Sequence, residues 1–521
     1  MEQLTLLLAL FVATVLLAPV AIRIKLPYPV LLLVLGLAVA FVPGLPTPSI
    51  SPDLILPLVL PPLLFAAARR TSWREFLDNR RAIGLLAIAL VGVTAFSVGM
   101  VLQALIPGLP LIAAIALGAA VAPPDPVAAT AAARDLRLPR RLRTTLEGEG
   151  LSNDATSLVL YEVAVAGAVT GAFSPWGAMG SLALSVVVGI VTGLVLAVVV
   201  RWLLGKLPAH PAGSALVLLM PFAAYGAADA AHGSGVLAVV TVALSLSRYA
   251  DAESAQTRLV SETAWDIIEL LVTGAAFAFV GLELRAVAAT VPGDLRELII
   301  QASAVTVVVV VVRFVWIFVV GGLDQRLQAR KNPEAEPVGW RERTVASWSG
   351  MRGVVTLAAV LALPQEFPER DRLIFIAFVV IVVTLALQGT TLPFLVRRLG
   401  VHASPDEERD MEATLTCRAR GAGWRRLDEI TRDGLVDECA IEEARENAEK
   451  VWHRMGFDKH VGNDDENAAT VEHSSREVDL EAEVLVAARE EVLAARSERG
   501  MDPTVVDGLL RKLDGHGATP D

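Results

Sequence analysis

The chain has 521 residues, of which 54% are hydrophobic, with a mean hydropathy of +0.55 and a formal charge of −11. That apolar content exceeds the roughly 45–50% of soluble domains, and it comes in runs of about 15–25 residues, the length of bilayer spans. A soluble globular enzyme is excluded, and the chain reads as a polytopic membrane protein. The charge is uneven. Residues 406–521 hold 30 acidic and 16 basic side chains, a charge of −14, whereas the preceding residues hold 26 and 29, a charge of +3. The two cysteines, Cys417 and Cys439, both lie in the acidic part, so no disulfide framework is indicated and a reduced cytoplasmic tail is the simpler reading.

The first hydrophobic run, Leu4 to Ile22, has neither a basic leader nor a small-residue cleavage site, and reads as a retained span and not a signal peptide. A window of about 19 residues then yields about thirteen spans, centred near residues 13, 35, 60, 93, 120, 157, 190, 220, 240, 270, 308, 354 and 383. Alternate loops are basic: Arg23 and Lys25, then Arg69 to Arg81, Arg134 to Arg143, Arg201 and Lys206, Arg248 and Arg258, and Arg326 to Arg343. The loops at Pro43–Ser51, Ile106–Pro110 and Phe173–Gly177 carry no Lys or Arg. The positive-inside rule therefore puts the N-terminus outside and the C-terminal tail in the cytoplasm. Arg285, Arg296, Arg370 and Arg372 are exceptions, diluted by nearby acids.

Two spans contain helix breakers. Near residue 120 the chain reads Val121-Ala122-Pro123-Pro124-Asp125-Pro126, where prolines remove backbone donors and drive the residues before them out of the α region. Near 354 it reads Ser349-Gly350-Met351-Arg352-Gly353-Val354, with two glycines and an arginine at the expected midplane. Interrupted helices at matching places in two halves are the mark of an inverted-repeat transporter, and irregular backbone at that depth must be buried in protein or line a cavity. Between them lies Glu149-Gly150-Leu151-Ser152-Asn153-Asp154 on a membrane helix. A mid-span acid costs roughly 2.5–3.5 kcal/mol, so Glu149, Asp154, Asp125 and the downstream Arg313 point to an ion or proton pathway.

Gly148 to Thr156, Pro123 to Ala129, Tyr225 to Gly235 and Gly350 to Val355 together closely resemble the bacterial Na⁺/H⁺ antiporters of the NhaP-type cation/proton exchanger group. The resemblance spans about residues 1–400. It implies an all-α membrane fold of thirteen spans in two inverted repeats with crossed discontinuous helices, a homodimer, and a core domain that carries ions past a dimerisation domain. It implies that Asp154 binds cation and proton in turn, with Asn153 beside it. Asp125 is expected at the broken-helix crossing, hydrogen-bonded to that asparagine. Glu149 and Arg313 match the family's buried ion pair, and Arg352 matches the arginine of the second broken helix, facing half-helix carbonyls. Pro124 and Pro126 mark the first break. The chain departs from many relatives at Ala66, where they place an acid, at Pro124, where some place Thr, and at Gly150, where others place Ser. Ser152, Thr156, Thr130 or backbone carbonyls are then the oxygens left for a cation, and selectivity among Na⁺, Li⁺ and K⁺ stays open.

The chemistry is competition for one carboxylate. Desolvation favours the protonated acid and a bound cation favours its anion, so proton and Na⁺ exclude each other at Asp154. A bare buried charge is penalised by several kcal/mol, so only the loaded carrier moves. With Asn at position 153, the resemblance implies one-for-one, electroneutral exchange in the plasma membrane, with no bound cofactor and no enzymatic reaction. More modest readings stand beside these. Asp125 could cap a broken helix without touching the cation, and the Glu149–Arg313 pair reads mainly as structural. Asp229 and His232, at i and i+3 on one helix face, read as a polar patch and not a metal site. Glu283 reads as the solvated end of a span. An intramembrane aspartyl protease lacks its Tyr-Asp and Gly-x-Gly-Asp partners here, a channel lacks a filter-like loop, and a sensor would bind cations without flux.

Beyond residue 405 the composition turns soluble and helix-prone. Residues Ala422–Met455 and Glu472–Glu498 have helical spacing, separated by a polar linker at Gly462–Asn467, and a short amphipathic helix is predicted from Pro503 to Leu513. No Walker loop, dinucleotide fingerprint or zinc spacing occurs, and the acidic charge argues against nucleic acid or anionic lipid as a partner of this tail. Two readings of the tail stand side by side, regulation of transport and a passive appendage.

Overall fold

The computed structural model describes residues 2–24, 26–42, 52–70, 80–125, 138–171, 175–206, 211–248, 255–291, 294–331, 338–402, 405–432, 438–454, 475–495, 498, 501 and 503–517. All regular structure among them is helical. In chain order the helices are α1 (Glu2–Ile24), α2 (Tyr28–Ala40), α3 (Pro52–Arg70), α4 (residues 80–105, with a π turn at Leu85–Ala89), α5 (Leu111–Val121) and α6 (Arg140–Thr170). There follow α7 (Pro175–Leu204), α8 (Pro211–Ala230), α9 (Gly235–Arg248), α10 (Ala255–Thr290), α11 (Leu295–Lys331), α12 (Trp340–Trp348), α13 (Val354–Leu361) and α14 (Arg370–Leu399). The acidic region forms α15 (Pro405–Arg432), α16 (Glu438–Arg454), α17 (Ser475–Ala495) and α18 (Pro503–Gly517).

Among the described residues, six segments are long and apolar enough to cross a bilayer: Leu85–Leu105, Ala183–Leu204, Pro211–Ala230, Thr263–Leu282, Leu295–Arg326 and Arg370–Leu399. Shorter apolar helices occupy Leu8–Ile24, Tyr28–Ala40, Pro57–Arg69, Leu111–Val121 and Gly235–Ser247. The centres read near residues 120 and 354 fall at helix ends and not mid-helix: α5 stops at Val121, and α12 and α13 are separated by residues 349–353.

The chain divides into two compact units. The first comprises Met1–Val200, Leu216–Leu246 and Thr263–His402, and the second Arg201–Ala215, Ser247–Glu262 and Ala403–Asp521. In the first unit, helix burial separates protein-facing from lipid-facing elements. Eight of the eleven residues of α5, from Ala113 and Ala114 through Ala116 to Val121, are buried, as an apolar helix packed on all sides requires. In contrast, Val307, Val311, Val315, Val319 and Leu323 of α11 are all more than half exposed, a stripe at i, i+4 spacing along one face. A helix of a soluble protein would hide that stripe; a membrane helix offers it to lipid. Two of the four charge-rule exceptions, Arg370 and Arg372 at the start of α14, have partners among the described residues. Arg372 pairs with Glu297 and, at 3.6 Å, with Glu369, and also donates to Gln301 at 2.9 Å. Arg370 pairs with Asp371 at 3.2 Å and donates to the Leu363 carbonyl at 2.9 Å.

In the second unit, α15, α16, α17 and α18 bury a common apolar core of Leu415, Leu427, Ala448, Trp452, Val484, Val492, Val506 and Leu509. The stretch expected as one helical region from Ala422 to Met455 is two helices; the first starts earlier, at Pro405, and ends at Arg432, just before Asp433-Gly434. The Gly462–Asn467 linker lies outside the described residues. Arg418 donates to Glu491 at 2.7 Å and to both oxygens of Glu498 at 2.6 Å, joining α15 to the end of α17. Those bonds hold the Glu498 carboxyl below its ordinary range. Its contribution is therefore complete above the ordinary carboxylate pKa and lost as pH falls through the depressed value. For a pair this exposed it is worth under about 1 kcal/mol, so the core and not the ion pair holds the helices together. Trp452→Ala, which removes a side chain 1% exposed, should cost about 3–5 kcal/mol of the stability of this unit. Limited proteolysis of the full-length protein should then cut within residues 405–517 while the preceding part stays intact.

Candidate functional site

The prolines that end α5 leave the carbonyls of its last turn without helical donors. Arg352 supplies them. Its Nε donates to the Val121 carbonyl at 2.8 Å, its Nη2 to the Ala122 carbonyl at 3.0 Å, and its Nη1 to its own neighbour, the Gly350 carbonyl. The reverse exchange takes place at the start of α13. The Asp125 carboxylate accepts from the Val354 N–H at 3.3 Å, and the Asp125 N–H donates to the Met351 carbonyl at 2.7 Å. A cation thus sits at the negative end of one interrupted helix and a carboxylate at the positive end of the other, each in the orientation the helix dipole favours. Arg352 is 1% exposed and Asp125 8%, so neither charge has water to replace these contacts. Two glycines make the approach possible. A Cβ on Gly353 would run into the Asp125 carboxylate, and one on Gly350 would lie 2.6 Å from the Arg313 side chain. Pro124 is described and buried; Pro126 and Thr130 lie outside the described residues.

Helix α6 passes this junction. Glu149 and Arg313 are 1% and 2% exposed and form a bidentate pair, with Nη2 donating to Oε2 at 2.9 Å and Nη1 to Oε1. Arg313 also donates to the Ala346 carbonyl, at 3.2 Å from Nε and 3.0 Å from Nη2. The pair therefore ties α6, α11 and α12 at one point, and the Glu149 carboxylate is already spoken for. One turn along α6 the situation reverses. Asn153 is fully buried, yet neither its Oδ1 nor its Nδ2 has a hydrogen-bond partner among the described residues. Asp154 is 3% exposed and, among the described residues, receives no hydrogen bond and no ion pair. Asp125 is close enough to act on it electrostatically. Ser152 is half-buried, and its carbonyl accepts from the Thr156 hydroxyl at 3.1 Å. Ala66 is buried at 3% and Gly150 is buried, so the oxygens that many relatives place at those positions are absent here.

Two expectations are corrected. The hydrogen bond expected between Asp125 and Asn153 is not made, because the Asp125 carboxylate is turned to the N-terminus of α13 and the asparagine amide has no partner. Asp229 and His232 do not share a helix face: α8 ends at Ala230, and His232 lies beyond it in a left-handed turn with φ of 57°, both side chains exposed. No group of three acidic, His or Cys side chains able to hold a metal occurs among the described residues. The Glu283 side chain lies outside them.

Three supporting contacts were not read from the sequence. Ser157 donates to the Ala119 carbonyl at 2.8 Å, Tyr161 to the Ala359 carbonyl at 2.6 Å, and Thr384 accepts from the Arg352 N–H at 3.2 Å. The first two had a signal: Gly150, Asp154, Ser157 and Tyr161 recur at three- and four-residue spacing and so share one face of α6. Thr384 had none, because no spacing pattern along α14 marks it as the partner of the break at residues 349–353.

Comparison with known proteins decides the family. A model of the transmembrane sodium/hydrogen exchanger matches residues 8–398. The chain belongs to the sodium/hydrogen exchanger family. An uncharacterized Na⁺/H⁺ exchanger of Mycobacterium tuberculosis is 37% identical over 386 residues, covering 72% of this chain and 70% of that protein. A sodium, potassium, lithium and rubidium/H⁺ antiporter of Bacillus pumilus is 34% identical over 388 residues, 71% of this chain and 57% of that one. The sodium/proton antiporter MjNhaP1 of Methanocaldococcus jannaschii shares the fold, with a TM-score of 0.58 over 77% of this chain and 99% of that structure, at 18% identity. The protein is thus an NhaP-type exchanger of sodium ions and protons, a transporter and not an enzyme.

The exchanger's buried ion pair lends itself to a double-mutant cycle. Arg313→Met alone strands the Glu149 charge and should destabilise by about 3–5 kcal/mol, whereas Glu149→Leu combined with Arg313→Met should recover most of that loss. Thermal melts of the detergent-purified single and double variants test this, and additive losses would contradict it.

Proposed function

We propose that this antiporter exchanges one Na⁺ for one H⁺, electroneutrally, by letting the two compete for Asp154. The observation that carries the proposal is a carboxylate 3% exposed that receives no hydrogen bond or ion pair among the described residues. An isolated buried carboxylate is costly as an anion, so it is stabilised in two ways only: as COOH, or as COO⁻ paired with a cation. Asn153, with an unengaged Oδ1, and the hydroxyl of the half-buried Ser152 are the ligands we assign to Na⁺, together with Asp125 as an electrostatic neighbour. We assign Asp125 to capping α13. The loaded states carry equal charge, so each turnover moves one positive charge in and one out. Asn153 contributes no charge of its own, which supports the one-to-one count. Glu149 and Arg313 neutralise each other and hold α6 against α11 and α12. Li⁺ uses the same hard oxygens. K⁺ transport is an extension suggested by the Bacillus relative.

The wider arrangement we infer is thirteen spans in two inverted repeats, assembled as a homodimer in the plasma membrane, with the N-terminus outside. No bound cofactor is required, because existing ion gradients drive the exchange. Residues 1–403 form the transport domain and residues 404–521 a cytoplasmic regulatory tail.

Proteoliposomes of pure protein under an imposed pH gradient test the core of this reading. Adding Na⁺ should collapse the gradient with the wild type and not with Asp154→Asn, and the rate should be unchanged by a clamped membrane potential. Below the pH at which Asp154 is half protonated, the apparent KM for Na⁺ should rise about tenfold per unit fall in pH, the signature of direct competition. Transport surviving in Asp154→Asn would overturn the site, and voltage dependence would overturn the stoichiometry. Deleting residues 406–521 should shift the pH profile of transport; an identical profile would remove the regulatory role of the tail.

A further inference from the structure

A cleft of about 550 Å³ opens at the basic end of α11, where the helix meets the start of α12. Its walls are Phe318, Val319 and Leu323 on one side and Gln325, Arg326 and Arg343 on the other. The apolar wall is the last part of the exposed stripe that begins at Val307, so it is continuous with the face the helix offers to lipid. Phe318, Val319 and Leu323 are 37%, 54% and 54% exposed, unlike the walls of a closed cavity. The polar wall is cationic and under-neutralised. Arg326 is exposed and has no ion pair or hydrogen bond among the described residues, and Arg343 donates to the neutral side chain of Gln325. Asp324, the acid of this helix turn, is 8% exposed, pairs with Arg81 at 2.7 Å and does not line the cleft. Gly322 leaves room for the second guanidinium, since a Cβ there would lie 3.1 Å from Arg343 Nη1. Trp340, 60% exposed and beside the Arg341 guanidinium at 5.7 Å, sits at the first turn of α12, the amphipathic kind of side chain that favours the membrane–water boundary.

We propose that this cleft binds an anionic phospholipid, with the phosphate between Arg326 and Arg343 and one acyl chain along Phe318, Val319 and Leu323. Arginine forks match the oxygens of a phosphodiester, and basic pockets beside membrane helices are suited to acidic headgroups. A free phosphate would satisfy the guanidinium groups and leave the apolar wall unused, which is why lipid is favoured. The site lies on the two helices that the Glu149–Arg313–Ala346 contacts join, so an occupant would brace α12 against α11. The inference is independent of the ion-exchange chemistry.

The test is native mass spectrometry of the full-length protein, purified with a limiting supply of phosphatidylglycerol or phosphatidylcholine. Wild type should retain phosphatidylglycerol over phosphatidylcholine. Arg326→Gln should weaken retention about fivefold, and the Arg326→Gln/Arg343→Gln pair by about that factor again. Leu323→Gln should also weaken it, because the acyl wall is part of the site. Arg326→Gln removes an exposed side chain without a described partner, so its melting temperature in neutral detergent should match wild type and separate lost binding from lost folding. Equal retention of the two lipids, retention unaffected by Arg326→Gln, or displacement of bound phosphatidylglycerol by millimolar inorganic phosphate would each overturn the proposal.

Discussion

Interrupting a helix inside a membrane exposes backbone carbonyls and amides where no water can reach them, and the rest of this transporter is organised around satisfying those groups. Each orphaned group costs several kcal/mol in hydrocarbon. The chain meets the requirement with two opposite charges exchanged between the two breaks. Arg352 serves the carbonyls of Val121 and Ala122, and Asp125 serves the amide of Val354. Neither cap works without the other segment, so the breaks stabilise each other and fix the relative position of α5 and α13. The glycines at 350 and 353 are the spatial condition for that arrangement, because a side chain at either would occupy the place of Arg313 or Asp125.

Against this neutralised background, the contrast along α6 carries the function. Glu149 is as buried as Asp154, yet its two oxygens are taken by Arg313. A carboxylate compensated in that way has no affinity to spare for a passing ion. Asp154, one turn and a half further on, is left without such partners among the described residues, and Asn153 beside it keeps a free carbonyl oxygen and amide. Unsatisfied buried polar groups are rare in folded proteins and ask for a reason. Here the reason proposed is a transient ligand, an alternating proton and cation.

The same economy of charge extends to the edges of the membrane part. Arginines at one end of α11 and α14 are matched by Glu297, Glu369 and Asp371, whereas Arg326 and Arg343 at the opposite end of α11 lack carboxylate partners among the described residues. The proposed phosphate would give these two arginines the negative partner that Glu297, Glu369 and Asp371 give Arg370 and Arg372.

What the amino-acid order determined by itself was composition-borne and local. Runs of apolar residues set the membrane class, three prolines in four positions set one helix end, and Gly350 with Gly353 set the other, because each acts through its own backbone. The motif around Asp154 was legible for the same reason, as ionisable residues on an apolar helix stand out without any knowledge of neighbours. Tertiary structure decided what those residues touch. That Asp125 turns to Val354 and not to Asn153, that Thr384 receives the Arg352 amide, and that His232 leaves the helix of Asp229 all depend on segments up to 229 residues apart or on a turn geometry that periodicity does not encode. Hydrogen bonds between distant segments are set by packing, and packing is the one quantity that a linear pattern of residues does not contain.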